Sequence, residues 1–192
     1  LAAAAAAAAA LAGLGYLLVW FLLHGRRDGP GWEKLEGFRY AHRGLHGPGV
    51  PENSLAAFRR AAEAGYGAEL DVHLTRDGRL VVIHDGDLER MCGVPGRVAE
   101  KTAEELAALR LAGSEEHIPL LEEVLPLFAG RAPLVVELKT DRHGAAALAR
   151  DTVDCLDRFC GCAATGRRCC GASCPRISTA IHPARVPGTA WR

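Results

Sequence analysis

At 192 residues the chain has room for one ordinary domain, and 23 Lys and Arg against 23 Asp and Glu leave it with no net charge at pH 7. A neutral chain has no global field to gather nucleic acid, so a nucleic-acid partner is excluded and any function belongs to a local site. The hydrophobic share of 49% is inflated at one end.

That end, Leu1 to Leu23, reads LAAAAAAAAALAGLGYLLVWFLL and contains no charge. As a helix it is long enough to span a bilayer core. It is also longer than the apolar stretch of a cleaved secretory signal, and His24-Gly25-Arg26-Arg27 follows it. The expectation is an uncleaved single-pass anchor over residues 1–23, with Tyr16 and Trp20 near one interface. The two arginines place the following domain on the cytoplasmic side.

Residues 24–37 form a polar linker around Gly29-Pro30-Gly31. Beyond it, short apolar runs alternate with amphipathic stretches. Phe38–His42, Ala68–Val72, Leu80–His84 and Leu134–Leu138 are predicted as buried strands. Asn53 or Ser54 can cap a helix through Ala64, with Leu55, Phe58 and Ala62 on one face and Gly65 as its stop. Thr102-Ala103-Glu104-Glu105 fits a capping box opening a helix to about Leu111. Pro119 suits the first turn of a third helix carrying Leu120, Leu121, Val124 and Leu125, which Pro126 bends or ends. The resulting order, β-α-β-β-α-α-β, predicts an α/β protein with a largely parallel sheet.

After Asp157 no acidic residue and no leucine occurs, six arginines appear, and six of the seven cysteines fall at or beyond Cys155. Two readings compete for residues 158–192. A zinc site is one, but Cys160-x-Cys162 and Cys169-Cys170-x₃-Cys174 lack the paired C-x₂-C spacing of structural sites. The other is an unselected tail, in which the loss of Leu, Glu and periodicity has one cause. Such a tail cannot bury enough apolar area to offset the entropy of ordering it, so 161–192 is expected to be disordered and dispensable.

Polar clusters stand at the carboxyl ends of all four predicted strands: Ala41-His42-Arg43-Gly44, Glu69-Leu70-Asp71, His84-Asp85 and Glu137-Leu138-Lys139. Ligands of parallel α/β sheets bind at that edge. Residues i and i+2 of a strand share a face, so Glu69 projects with Asp71 and Glu137 with Lys139. Three converging carboxylates repel one another unless a cation stands between them. Hard oxygen donors select Mg²⁺ or Ca²⁺, and Glu69, Asp71 and Glu137 are its expected ligands. Taken singly, a histidine at a strand end, an E-x-D pair and an E-x-K pair are ordinary rim or surface features. Together, in the otherwise apolar runs AELDV and VVELK, they need a reason.

The motifs HRG at His42–Gly44, PEN at Pro51–Asn53, ELDV at Glu69–Val72, HD at His84–Asp85 and ELK at Glu137–Lys139 resemble, in order and spacing, the signature of the glycerophosphodiester phosphodiesterases. The stretches between them, SLAAFRRAAEAGYGAELDVHLTRDG and IPLLEEVL, are also similar to that family, and the resemblance covers about 38–157. It implies a TIM (β/α)₈ barrel, one divalent metal and hydrolysis of a glycerophosphodiester to an alcohol and glycerol 3-phosphate. It further implies acid and base work for His42 and His84, without saying which does which, metal ligation by Glu69, Asp71 and Glu137, and phosphate contacts from Arg43 and Lys139. Glu52 and Asn53 would support the site from behind, while His46, His73 and His117 are read as surface or structural residues. A whole barrel takes about 250 residues, and only about four strand units precede Asp157. The expectation is therefore the first half of a barrel, with exposed edges. A related lysophospholipase D and a membrane-tethered fragment without catalysis are the alternatives.

Overall fold

The computed structural model describes residues 2–23, 35–140 and 144–164. It divides into two compact units, Leu1–Glu33 and Lys34–Arg192. Most of the expected linker, and the cysteines from Cys169 onward on which the zinc reading turns, lie outside the described residues.

The described residues of the first unit form one helix, α1 (Ala2–Leu23), which contains no charged residue. Its described side chains run from Leu11 to Phe21, and Leu11, Leu14, Tyr16, Leu17, Leu18 and Phe21 are exposed. Among the described residues, no helix is long and apolar enough to cross a membrane. The span expected for residues 1–23 is thus not met there, and the alanines that fill the first half of α1 are only weakly apolar.

Among the described residues of the second unit, four strands form one sheet: β1 (Tyr40–His42), β2 (Gly67–Leu74), β3 (Leu80–Val82) and β4 (Leu134–Leu138). β2 is its centre. β4 lies parallel along Ala68–Val72 of β2, with Asp71 opposite Glu137. Because one strand has two edges, the other edge serves both β1 and β3. β1 pairs parallel with Gly67–Glu69, and β3 pairs antiparallel with Val72–Leu74.

The expected largely parallel sheet is present, with β3 as its antiparallel strand. Only five residues, Thr75–Arg79, separate β2 from β3, and a parallel return needs a crossover of a dozen or more. Thr75 ties this hairpin, since its amide donates to the Arg79 carbonyl and its hydroxyl donates to Asp77 Oδ1. β3 also stops at Val82, two residues before the expected end, because the chain leaves the ladder at Ile83 after one bond from its amide to the Asp71 carbonyl.

Alternation along the strands decides what each face meets. Ala68, Leu70 and Val72 of β2 and Leu134, Val136 and Leu138 of β4 are buried in the main core. They pack against α2 (Leu55–Glu63), α5 (Leu121–Phe128) and α6 (Ala145–Ala164), where Phe58 and Phe128 meet edge to face at 6.3 Å. Glu69, Asp71 and Glu137 occupy the alternate positions and face away from those helices. A second core, of Val81, Ile83, Leu88, Met91, Val98, Leu106, Leu111 and Ile118, holds the segment after β3. That segment carries the short helices α3 (Glu89–Cys92) and α4 (Ala103–Ala107).

Helix ends follow local chemistry. Ser54 caps α2, its hydroxyl accepting from the Ala57 amide at 3.1 Å. Thr102 and Glu105 form the expected capping box, but α4 ends at Ala107 instead of near Leu111, and a 3₁₀ turn follows at Leu111–Gly113. α5 starts at Leu121, two residues after Pro119, with the Glu123 carboxylate accepting from the Leu120 amide. Pro126 stands inside it, and the helix ends two residues later. α6 corrects the proposed boundary at Asp157, since its backbone remains helical to Ala164. Leu148, Thr152, Cys155 and Leu156 bury one stripe of it at helical spacing.

Candidate active site

The HRG turn is shaped by its neighbours. Arg43 and Gly44 follow β1 with φ of 55° and 80°. A Cβ on Gly44 would stand 2.8 Å from Ala57 Cβ, so only glycine lets this turn lie on the first turn of α2. Asn53, in the second loop, also has a positive φ of 54°, and its amide donates to the Arg43 carbonyl at 2.9 Å. Two left-handed residues thus clasp the loops together. Ser54, the alternative in the sequence, is the helix cap, which frees Asn53 to send Nδ2 to Asp71 Oδ2 at 2.9 Å.

The carboxylates of Glu69, Asp71 and Glu137 offer oxygens that all lie within 4.8 Å of one another. Asp71 is fully buried. Its Oδ2 takes the Asn53 amide, with Arg43 Nε 3.5 Å away, while Lys139 Nζ approaches Oδ1 to 3.2 Å. Glu69 accepts from the Arg43 main-chain amide at 3.2 Å through Oε2, and its Oε1 is buried without a hydrogen-bond partner. Burial, followed by the charge of Asp71, pushes the Glu69 carboxyl up to about 7, and Glu137 adds to the effect. Lys139 donates to Glu137 Oε1 at 2.7 Å. Burial opposes the Lys139 charge, but Glu137 and Asp71 outweigh it and hold its ammonium above the ordinary lysine range.

This set fits a divalent cation on its own terms. It offers three hard oxygen donors, an orphaned buried oxygen on Glu69, and a Glu69 carboxyl that burial and the charge of Asp71 push up to about 7. A lysine ammonium pairs with two of the three carboxylates and only partly offsets the charge of Glu69.

His42, at the end of β1, is 68% exposed in its side chain, and its Nε2 stands 3.9 Å from Glu69 Oε2. His84 is half-buried, and its Nδ1 shares a hydrogen bond of 2.7 Å with Asp85 Oδ1. Since a carboxylate only accepts, neutral His84 carries its proton on Nδ1 and presents a bare Nε2. His73, read from the sequence as a surface or structural residue, has its Nε2 at 3.1 Å from the His84 carbonyl and steadies that backbone.

Arg90 was not anticipated. From α3 its Nη2 donates to Glu52 Oε1 at 2.6 Å and its Nε to Asp85 Oδ2. Glu52 Oε1 also accepts from Arg43 Nη1 at 2.9 Å. Burial works against charge on Glu52 and Asp85, yet Arg90, with Arg43 for Glu52 and His84 for Asp85, holds both carboxyls below the usual range. One polar chain therefore joins the loop of His84 to the carboxylate cluster, through Asp85, Arg90, Glu52 and Arg43.

A sequence model described as the glycerophosphoryl diester phosphodiesterase family matches residues 42–152, more than half of the chain. The chain belongs to this family. Among its curated members, a glycerophosphodiester phosphodiesterase of Bacillus altitudinis is 42% identical over 111 residues, 52% of this chain and 43% of the relative. A lysophospholipase D of Rattus norvegicus is 32% identical over 149 residues, 67% of this chain and 46% of the relative. Among solved structures, a phosphodiesterase of Oleispira antarctica in complex with the product sn-glycerol-3-phosphate matches with a TM-score of 0.61 at 28% identity, over 67% of this chain and 54% of that one. The chain spans about half the length of the curated relatives it matches. The matched stretch contains the HRG, PEN, ELD, HD and ELK motifs.

Proposed function

We propose that the chain supplies the amino-terminal part of a TIM-barrel phosphodiesterase that cleaves glycerophosphodiesters to an alcohol and glycerol 3-phosphate. The observation that carries this reading is the cluster of Glu69, Asp71 and Glu137, with its orphaned Glu69 oxygen, beside Arg43, Lys139 and His42 at the motifs of the family. A divalent ion held there, Mg²⁺ or Ca²⁺, would polarise the phosphate and stabilise charge on its oxygens.

The side chains around it do the rest. Lys139 and Arg43 neutralise the phosphodiester, an anion that otherwise repels its nucleophile. Addition of an oxygen nucleophile at phosphorus and departure of the alcohol require one proton to be taken up and one to be given. His42 and His84 bring two imidazoles to this edge, and an imidazole can take up one proton and give another. For His84 the exchange runs through Nε2, because Asp85 occupies Nδ1. Glu52 and Asn53 touch no reacting atom in this scheme. Glu52 aims Arg43, and Asn53 holds Asp71.

A placement against a membrane, without a span, is part of the proposal, on the charge-free α1 and the exposed apolar side chains between Leu11 and Phe21. It would set the domain beside lipid-derived substrates, on the cytoplasmic side. Sedimentation with vesicles tests it, and a chain that stays in the supernatant overturns it.

Lysophospholipid cleavage is the second reading, favoured by the longer match to the rat enzyme. Purified chain incubated with glycerophosphocholine and, separately, with a lysophospholipid distinguishes the two. Release of glycerol 3-phosphate from the first supports the main reading, and release of choline from the second alone supports the alternative. The absence of both products, with the divalent ion present, leaves the third reading of a non-catalytic fragment.

A further inference from the structure

We propose that Arg90 is a positioning residue that fixes the orientation and tautomer of His84 and, through Glu52, the aim of Arg43. The inference rests on the phosphodiesterase reading above, because it assigns a role within the same site.

The geometry is a two-sided clamp. Arg90 leaves α3 and spends two nitrogens on two carboxylates that belong to different loops. Nη2 reaches Glu52 of the loop before α2, and Nε reaches Asp85 of the loop after β3. Each carboxylate keeps an interaction with a residue of the candidate active site. Asp85 holds His84 Nδ1 through Oδ1 while Oδ2 is committed to Arg90, so the carboxylate plane is set from both sides. Glu52 Oε1 is shared by Arg90 and Arg43, and Arg43 in turn lies beside Asp71.

The planar, forked guanidinium suits this bridge, since two of its N–H groups point in fixed directions to two acceptors. A lysine ammonium is a compact charge on a flexible stem, without the fixed fork that sets the direction of each carboxylate. Without Arg90, Glu52 and Asp85 are two half-buried anions with one fewer partner each. Asp85 is then free to turn away from Nδ1, and His84 distributes its proton between both ring nitrogens. The exposure of Arg90, 48% in its side chain, makes it removable without opening a core cavity. Met91, the next residue, carries the packing of α3 into the second core.

The test uses the full chain carrying Arg90→Met and Arg90→Lys, with two readouts. The first is the ¹⁵N–¹H pattern of the His84 ring, assigned with His84→Gln. The parent should show the Nδ1–H form, Arg90→Met an average of the two neutral forms, and Arg90→Lys an intermediate pattern. The second is steady-state turnover of glycerophosphocholine. Arg90→Met should lower kcat about 10- to 100-fold with little change in KM, as loss of an orienting partner does, and Arg90→Lys should recover part of that loss. An unchanged ring pattern in Arg90→Met overturns the proposal, including the case in which kcat falls only because the melting temperature has fallen. Absence of turnover in the parent defeats the phosphodiesterase reading instead, and the ring pattern still decides the clamp.

Discussion

Glu69→Gln should stabilise the metal-free chain at alkaline pH while removing its capacity for a cation. Glu69 has 17% of its side chain exposed, and its carboxyl is pushed to about 7 in the fold from an ordinary 4.5. Burial is the largest cause and the neighbouring Asp71 the next. A carboxyl raised by folding binds its proton more tightly in the native state. It therefore contributes stability that is complete below 4.5 and disappears as pH rises through about 7. With about 1.4 kcal/mol per pH unit, the loss is under about 1 kcal/mol at pH 5 and reaches about 3 kcal/mol at pH 8. Glutamine keeps the shape and the acceptor for the Arg43 amide but carries no charge at either pH. In urea melts with chelator present, Glu69→Gln should exceed the parent by about 3 kcal/mol at pH 8 and by under about 1 kcal/mol at pH 5. Saturating Mg²⁺ or Ca²⁺ should stabilise the parent at pH 8 and leave the variant unchanged. A variant no more stable than the parent at pH 8 would refute the view of Glu69 as an anion awaiting a counter-charge.

Gly44→Ala should cost about 2 to 4 kcal/mol in the same melts, since it combines a left-handed backbone with a Cβ contact of 2.8 Å to Ala57; a cost near zero would mean that the HRG turn can move off α2. His42→Ala and His84→Ala should each lower kcat by about 10²- to 10⁴-fold with little change in KM, and the double variant should be little worse than the poorer single one. If either single variant keeps near-parental turnover, that histidine serves structure alone.

The polar motifs of the candidate site were legible because strand periodicity is simple. An E-x-D and an E-x-K inside apolar runs put Glu69, Asp71, Glu137 and Lys139 on the face opposite the buried Leu70, Val72, Val136 and Leu138. β4 was expected at the residues it occupies, and the Ser54 and Thr102 caps were readable from one side chain each. The direction of β3 was less plain, since the apolar run Leu80–His84 looks alike in either orientation. The five-residue gap after Leu74 held the signal. α6 was hidden by composition, because the leucine-free, arginine-rich text beyond Asp157 drew attention from Leu148, Thr152, Cys155 and Leu156 at helical spacing. Arg90 carried no pattern of its own. A lone arginine on a four-residue helix reads as solvated, and its partners, Glu52 and Asp85, are 38 and 5 residues away.

The central claim is that Glu69, Asp71 and Glu137 together hold one divalent ion. Isothermal titration of the chelator-treated chain with Mg²⁺, and with Ca²⁺, measures it without relying on turnover. The account predicts one ion per chain, bound more tightly at pH 7.5 than at pH 6 because binding releases the Glu69 proton, and loss of that binding in Asp71→Asn. No binding by the parent, or binding that survives Asp71→Asn undiminished, would contradict it.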